Sequence, residues 1–190
     1  TIVGLADTAV QESKVRIRSA LQNSGCEYPC GRRITINLAP ADLPKEGGRF
    51  DLAIAIGILA ASGQLPHAEL GEYEFVGELA LTGELRPVRG ILPIASAINT
   101  SNRKLILPQS NAAEATLINE LTILPAQHLM DVCAHLNNSE SLSPCNRQDF
   151  PVRDSKHKLD LNDIKAQHLA KRALELAAAG SHNLLMIGPP

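Results

Sequence analysis

The sequence predicts an α/β fold built on a mixed sheet, and three observations carry that prediction. In the second half, Lys104-Leu105-Ile106-Leu107 and Leu121-Thr122-Ile123-Leu124 read as strands, alternating with helical segments at a spacing that favours parallel pairing through right-handed crossovers. Nearer the start, Ile34-Thr35-Ile36-Asn37-Leu38 alternates strictly, as a half-buried strand does. Between them, Tyr73 to Ala80 and Glu84 to Val88 bracket Leu81-Thr82-Gly83, a hairpin with Thr82-Gly83 in its turn.

The remaining elements follow in order. Ile2-Val3-Gly4-Leu5 reads as the end of a strand, and Thr8 with Gln11 three residues on is a capping-box signature. Val10, Ile17 and Leu21 then form one stripe of a helix that stops near Gly25, with Glu12, Arg16 and Arg18 on a solvated face. Two Pro and two Gly between Ala39 and Gly48 make that stretch a loop. Asp51 starts a helix from Leu52 to about Ser62, closed by Gly63; it is apolar all round and is expected between layers. Later helices are expected from about Pro93 to Ile98, Ala112 to Ile118 and Ala126 to Leu136. Asn137 to His157 has the composition of a linker. Beyond it come an amphipathic helix, Leu161 to Ala179, and a buried-type strand, Asn183 to Ile187.

Composition narrows the function. Of 190 residues, 44% are hydrophobic and 20% charged, the profile of a soluble globular protein with a real core. Lys plus Arg total 18 and Asp plus Glu 20, so the net charge of −2 excludes a polybasic arm or an acidic tail as the organising feature. Aromatics at 3%, with no Trp, argue against a base-stacking surface. The longest apolar run, Leu52 to Ala61, falls short of the roughly 18 residues that span a bilayer, and no basic n-region opens the chain. No membrane association and a cytoplasmic location are expected. Cys26, Cys30, Cys133 and Cys145 do not form paired knuckles, so they read as reduced cytosolic thiols with no metal site.

The chain closes on Gly188-Pro189-Pro190 after an aliphatic run, which is how a phosphate-binding loop of the Gly-x-x-x-x-Gly-Lys-Ser/Thr type often begins. Gly188 is its first candidate cofactor-binding residue. The surrounding sequence is more specific. Asp163 to Glu175 (DIKAQHLAKRALE) and Gly180 to Pro190 (GSHNLLMIGPP) closely resemble the start of the ATPase module in the magnesium-chelatase-like AAA+ ATPases of the competence protein ComM type. The resemblance continues through Thr1 to Val10, Asn37 to Leu43 and Gly77 to Val88 (GELALTGELRPV), so it covers essentially the whole chain.

The resemblance implies a Lon-protease-like N-terminal domain over 1–137, a linker over 138–159, and the first helix and strand of an AAA+ module over 160–190. It implies ATP and Mg²⁺ as cofactors of the full-length protein, held beyond this stretch, a hexameric homo-oligomer, and DNA remodelling by branch migration during natural transformation or recombination. Older labels for such proteins, ATP-dependent serine peptidase or magnesium-chelatase-related ATPase, are the alternatives.

The peptidase alternative can be examined residue by residue. Lon proteases place the nucleophilic Ser in a Pro-Lys-Asp-Gly-Pro-Ser pattern, whereas this chain reads Pro44-Lys45-Glu46-Gly47-Gly48-Arg49. The activating Lys follows a Leu-Pro-Ile-Gly-Gly-Leu pattern, matched here by Arg86-Pro87-Val88-Arg89-Gly90-Ile91 and then Leu92. A guanidinium is no nucleophile and a leucine accepts no proton, so no catalytic dyad is expected. Ser62 lies about three helical turns away from the loop. Asp42, Glu46 and Asp51 around the Gly-rich loop suggest paired carboxylates or Mg²⁺ ligands, against the plainer reading of a solvated loop with Asp51 capping the helix. Arginine suits phosphate and carboxylate forks, so Arg32, Arg33, Arg49, Arg86 and Arg89 are the candidate DNA or subunit contacts if they converge.

Overall fold

The computed structural model describes residues 1–4, 8–40, 42, 45, 47–146 and 160–188. They fall into two units, 1–149 and 150–190.

The first unit is mixed α/β. Strand β1 (Ile2–Val3) pairs in parallel with β2 (Ile36–Asn37). Three parallel strands, β3 (Tyr73–Phe75), β6 (Lys104–Pro108) and β7 (Ile123–Ala126), form a second sheet with β6 in the middle. Between β3 and β6 the chain makes the expected hairpin, β4 (Glu78–Leu79) antiparallel to β5 (Leu85–Arg86), in the register Glu78↔Arg86 and Leu79↔Leu85. The hairpin joins the end of β7 through Leu85 N–H to the Gln127 carbonyl (2.8 Å) and Leu129 N–H to the Gly83 carbonyl (2.8 Å).

The central strand shows why its sequence is a continuous apolar run. Ile106 faces one core while Leu105 and Leu107 face the other, so a period of two puts aliphatic side chains on both covered faces. Helices α1 (Thr8–Asn23), α2 (Asp51–Ala61) and α5 (Leu129–Leu136) build the first core; α3 (Ile91–Asn99) and the single turn α4 (Ala112–Ala115) build the second. The stripe Val10, Ile17 and Leu21 is buried, as expected. Helix α2 is buried on nearly every side, with eight of its eleven residues inaccessible. Both α1 and α2 end in Schellman closures. At α1, Cys26 N–H reaches the Leu21 carbonyl and Gly25 N–H the Gln22 carbonyl; at α2, Gln64 N–H reaches Leu59 and Gly63 N–H reaches Ala60. Gly25 (φ 73°) and Gly63 (φ 78°) supply the left-handed residue that closure requires.

Several boundaries differ from the sequence reading. Helix α3 begins at Ile91, because Pro93 sits in the first turn where its missing N–H has no helical partner. The 126–136 helix starts three residues late. Asp131 accepts the N–H groups of Gln127 and His128, and His128 Nδ1 accepts Met130 N–H (3.1 Å), a cap that fixes the start at Leu129. That bond leaves His128 Nε2 as the protonated nitrogen, donating to the Thr82 carbonyl (3.1 Å) at the hairpin tip. Part of the compositional linker is packed: Leu142 N–H donates to His135 Nδ1 (3.2 Å), and Cys145 N–H to the Ile123 carbonyl (2.8 Å).

In the second unit the Leu161–Ala179 helix is divided. A single turn, Leu161–Asp163, is closed by a reciprocal Asp160/Asp163 box, Ile164 is extended, and Ala166 and Gln167 have positive φ before α6 (His168–Gly180) begins. The expected strand 183–187 is absent. Leu185 (81% exposed) and Ile187 (91% exposed) have no strand to pair with among the described residues, and an isolated run of aliphatic residues gains nothing by extending alone.

Candidate functional site

The Gly-rich loop enters α2 through one tight turn, Gly48–Phe50, which carries Arg49. This turn is stitched to the carboxyl end of β3: Gly77 N–H donates to the Arg49 carbonyl (3.0 Å) and Leu52 N–H to the Gly77 carbonyl (3.0 Å). Gly48 lies directly against Glu78, whose Cγ and Oε2 would stand 2.6 Å from any Cβ there, so a larger residue would have to displace the Glu78 side chain. On the other side, the segment after β5 is pinned by buried Asn111, whose amide takes both backbone groups of Val88: Val88 N–H to Oδ1 (2.9 Å) and Nδ2–H to the Val88 carbonyl (3.0 Å). The turn that carries Arg49 and the segment after β5 that carries Arg89 thus border the same space. Gly47, Gly48, Arg49, Glu78, Val88 and Arg89 line one cavity of about 410 Å³.

Beneath this cavity lies the one strong ion pair of the region. Asp51, 1% exposed, receives Arg16 Nε at 2.9 Å and Nη2 at 3.2 Å, and Leu79 N–H at 3.3 Å. Burial pushes the Asp51 carboxyl above its ordinary pKa, an effect that the Arg16 hydrogen bond and charge oppose. The same hydrogen bond to Asp51 raises the Arg16 pKa. Two expectations are corrected here. Arg16 does not sit on a solvated face, and Asp51 does not cap α2, since no side-chain cap bond forms at that end. A carboxylate with a guanidinium fork within reach gains more from that pairing than from a backbone N–H. Asp51 is therefore no partner for Asp42, which is exposed, and Glu46 lies outside the described residues. Among the described residues no three His, Cys, Asp or Glu side chains are grouped to hold a metal ion.

No nucleophile stands at the cavity among these residues. The Arg49 guanidinium lies 5.8 Å from the Phe50 ring centroid. Leu92 is half-buried at the start of α3, its N–H donating to Glu114 Oε1 (3.4 Å). Lys45 is buried with Nζ donating to the Pro40 carbonyl. Ser62, at the far end of α2, donates to the Leu59 carbonyl (3.0 Å) and accepts from Gln64.

The five candidate arginines do not converge. Arg49 and Arg89 share the cavity, and Arg86 is the cross-strand neighbour of Glu78. Arg32 and Arg33 are exposed on a different groove of about 670 Å³ with Tyr28, over whose ring Arg18 lies at 5.5 Å. Asn111, which shapes the site, is not among the residues that sequence reasoning singles out, and Arg16 pairs with Asp51 instead of joining the other arginines. Asn111 follows a strand and a Pro, a position where sequence alone gives no hint of its partner.

The family described as Subunit ChlI of Mg-chelatase matches residues 1–111, and that described as Magnesium chelatase, subunit ChlI, matches 160–190. The chain belongs to the magnesium-chelatase-like family of the ComM type. It is 53% identical over 193 residues to Competence protein ComM of Haemophilus influenzae, covering all of this chain and 38% of that protein. It is similarly 53% identical over 190 residues to the uncharacterized protein YifB of Escherichia coli and 36% to the uncharacterized protein Rv2897c of Mycobacterium tuberculosis, covering 37% of each. The chain thus spans well under half the length of these relatives.

Within this magnesium-chelatase-like chain, Gly188 is exposed and a Cβ there would meet nothing within 4 Å. One glycine does not hold a triphosphate, and the Lys and hydroxyl that the loop needs are not among the described residues. The thiols behave as packing groups. Cys26 Sγ lies 4.0 Å from both the Ser24 carbonyl and Met130 Sδ, and burial pushes the Cys133 thiol up to about 12. No helix among the described residues is long and apolar enough to cross a membrane.

Proposed function

We propose that this chain is the N-terminal region of an ATP-driven DNA-remodelling motor, an AAA+ ATPase whose Lon-like domain has exchanged peptide hydrolysis for nucleic-acid guidance. The observation that supports this reading is the cavity that Arg49 and Arg89 both line; by the Lon resemblance, Arg49 falls at the nucleophile's place and Leu92 at the base's. Nucleophile and base act as a unit, so losing both removes the covalent route to hydrolysis. Two guanidiniums instead present fixed donors suited to phosphate oxygens. The name of the Haemophilus relative, a competence protein, agrees with a role in natural transformation. In this reading ATP and Mg²⁺ are held by residues that follow Gly188 in the longer protein, which assembles as a homo-hexamer in the cytoplasm. Residues 1–137 act as the DNA-guiding domain, with 138–159 joining it to the ATPase module.

The test uses the longer protein that contains this chain. ATP hydrolysis is measured with and without branched DNA, before and after deletion of residues 1–137. Stimulation by DNA that disappears with the deletion is the expected result. Stimulation that survives the deletion removes the guiding role, and labelling of the domain by a serine-reactive probe would restore the peptidase.

A further inference from the structure

Strand β2 leaves one side open. Ile36 N–H reaches the Thr1 carbonyl and Leu38 N–H the Val3 carbonyl, both at 2.9 Å, and the Thr1 amine reaches the Ile34 carbonyl at 2.8 Å. Backbone groups alternate sides along a strand, so Thr35 and Asn37 turn their N–H and C=O groups away from β1. None of these groups has a hydrogen-bond partner among the described residues, and both residues are exposed. The three-stranded sheet is finished differently: Cys145 N–H covers the Ile123 carbonyl of β7 (2.8 Å), and the Gly48–Phe50 turn closes the end of β3. Folded proteins cover an edge or place Pro or charge on it, and Thr35-Ile36-Asn37 carries neither.

An apolar groove of about 350 Å³ runs beside this strand. Ile34, Ile36 and Leu38 line one side of it, and Phe50, Ile54 and Ile58 the other; no charged side chain is among its lining residues. Just ahead of the strand, Arg32 and Arg33 are exposed and pair with no carboxylate among the described residues. An extended peptide matches all three features. Ile34 to Leu38 spans about 17 Å, the length of an ordinary strand. A strand laid against β2 uses the donors and the acceptors of Thr35 and Asn37 together, and sets every second side chain over the groove. A phosphate backbone offers acceptors alone and would leave both carbonyls facing oxygen. In an antiparallel addition the carboxyl end of the incoming strand lies beside Arg32 and Arg33, where acidic residues meet the two guanidiniums.

We propose that the open side of β2 is a docking site for an extended segment of a partner protein, apolar at alternate positions and ending in acidic residues, which adds as an antiparallel strand. The site goes beyond the motor function proposed above and does not rest on it.

The probe is the peptide acetyl-Val-Thr-Ile-Thr-Val-Asp-Glu-amide, titrated into the 190-residue chain while backbone amides are followed by resonance shift and hydrogen exchange. Thr35 and Asn37 are expected to shift and to gain protection. The peptide's Thr residues pair with these two, so N-methylation at both Thr should weaken binding by more than about tenfold. N-methylation at the central Ile, whose N–H points away from β2, should leave binding intact. Replacing Asp-Glu by Asn-Gln should weaken it about fivefold, and the same replacement should have no further effect on R32Q/R33Q. G57L fills the groove from an exposed position where a Cβ would meet nothing within 4 Å; it should block the peptide without lowering the unfolding midpoint, since Leu is the better helix former. The site is overturned if Thr35 and Asn37 do not respond, or if binding survives N-methylation at both Thr. An oligonucleotide that shifts Arg32 and Arg33 where the peptide does not would give the arginines to nucleic acid instead. Protection of Thr35 and Asn37 that rises with protein concentration in the absence of peptide would give the edge to a second copy. Protection already present in the longer protein alone would give it to that protein's own residues, and either result removes the partner segment.

Discussion

Helices α2 and α6 are both rich in alanine and both carry large aliphatic side chains, yet they meet opposite fates. Eight residues of α2 are buried, while α6 buries none and leaves Leu169 89% exposed. Composition separates them only in part: α2 carries one charged residue, Asp51, whereas α6 carries Lys171, Arg172 and Glu175 beside its leucines. The rest of the difference lies in what each finds around it. α2 has α1 on one side, β3 and β4 on others, and a Schellman closure at its end. Among the described residues of the second unit, α6 has only a single turn before it and an extended segment after it. Apolar surface stabilises a helix only where something else removes it from water.

The comparison breaks most sharply at Asp51, the polar group that α2 buries at its start. Asp51→Ala would leave the Arg16 guanidinium and the Leu79 N–H without their acceptor. The expected loss is about 3 kcal/mol, the lower end for a buried pair because Arg16 keeps 23% of its side-chain surface in water. Urea unfolding of the 190-residue chain measures it. A loss below about 1 kcal/mol would mean that solvent replaces the pair and that Asp51 is less buried than its surroundings imply. Asp51→Asn, which can still accept from Leu79, should cost less than the alanine.

Much of this was legible in the sequence, for a reason that the sheet makes plain. The run at 104–107 and the stripe on α1 report burial directly, because period and apolar identity are properties of the chain itself; of the run at 121–124 only Ile123 and Leu124 are buried, and the strand lies two residues later, at Ile123–Ala126. The hairpin was legible from Thr82-Gly83. Three features were not. Arg16 looks solvated by helical period, and only the fold brings it to Asp51, thirty-five positions away. Asn111 pins Val88 through a tertiary contact that leaves no mark on local pattern. The run 183–187 has the composition of a strand but no neighbour to pair with here, and pairing is not encoded in one strand alone. The site was half legible. That Arg49 and Leu92 offer neither a nucleophile nor a base is plain from the chain itself, whereas the separation of Arg49 and Arg89 from Arg32 and Arg33 into two cavities required the fold.

A smaller effect is a pH dependence within the first unit. His135, on α5, accepts Leu142 N–H at Nδ1, packs edge-on against Tyr73 at 5.5 Å, and leaves Nε2 buried without a partner. Burial lowers its pKa, and the Lys104 ammonium lowers it further, against a weaker opposing pull from Glu69. The folded chain therefore takes up this proton less readily than the unfolded chain. Stability from this residue is full at neutral pH and falls as pH drops through the ordinary imidazole value of about 6.5. It levels off once pH passes below the lowered folded pKa. Comparing urea midpoints at about pH 7.5 and about pH 5.5, His135→Asn should flatten the change seen in the parent. An unchanged slope would assign the acid sensitivity elsewhere.

The smallest expected effect is the most direct probe of why α6 stays exposed. Leu169→Gln and Leu176→Gln keep good helix formers at positions 89% and 54% exposed. In the 190-residue chain they should move the unfolding free energy by less than about 0.5 kcal/mol, as surface substitutions do. In the longer protein, where the proposed ATPase module would offer these leucines a surface, each should instead cost about 2–5 kcal/mol, the range for lost core aliphatics. Equal and small losses in both would mean that α6 presents this face to solvent for its own sake. A large loss already in the short chain would mean that residues of this stretch cover the leucines, and the contrast with α2 would then be one of degree.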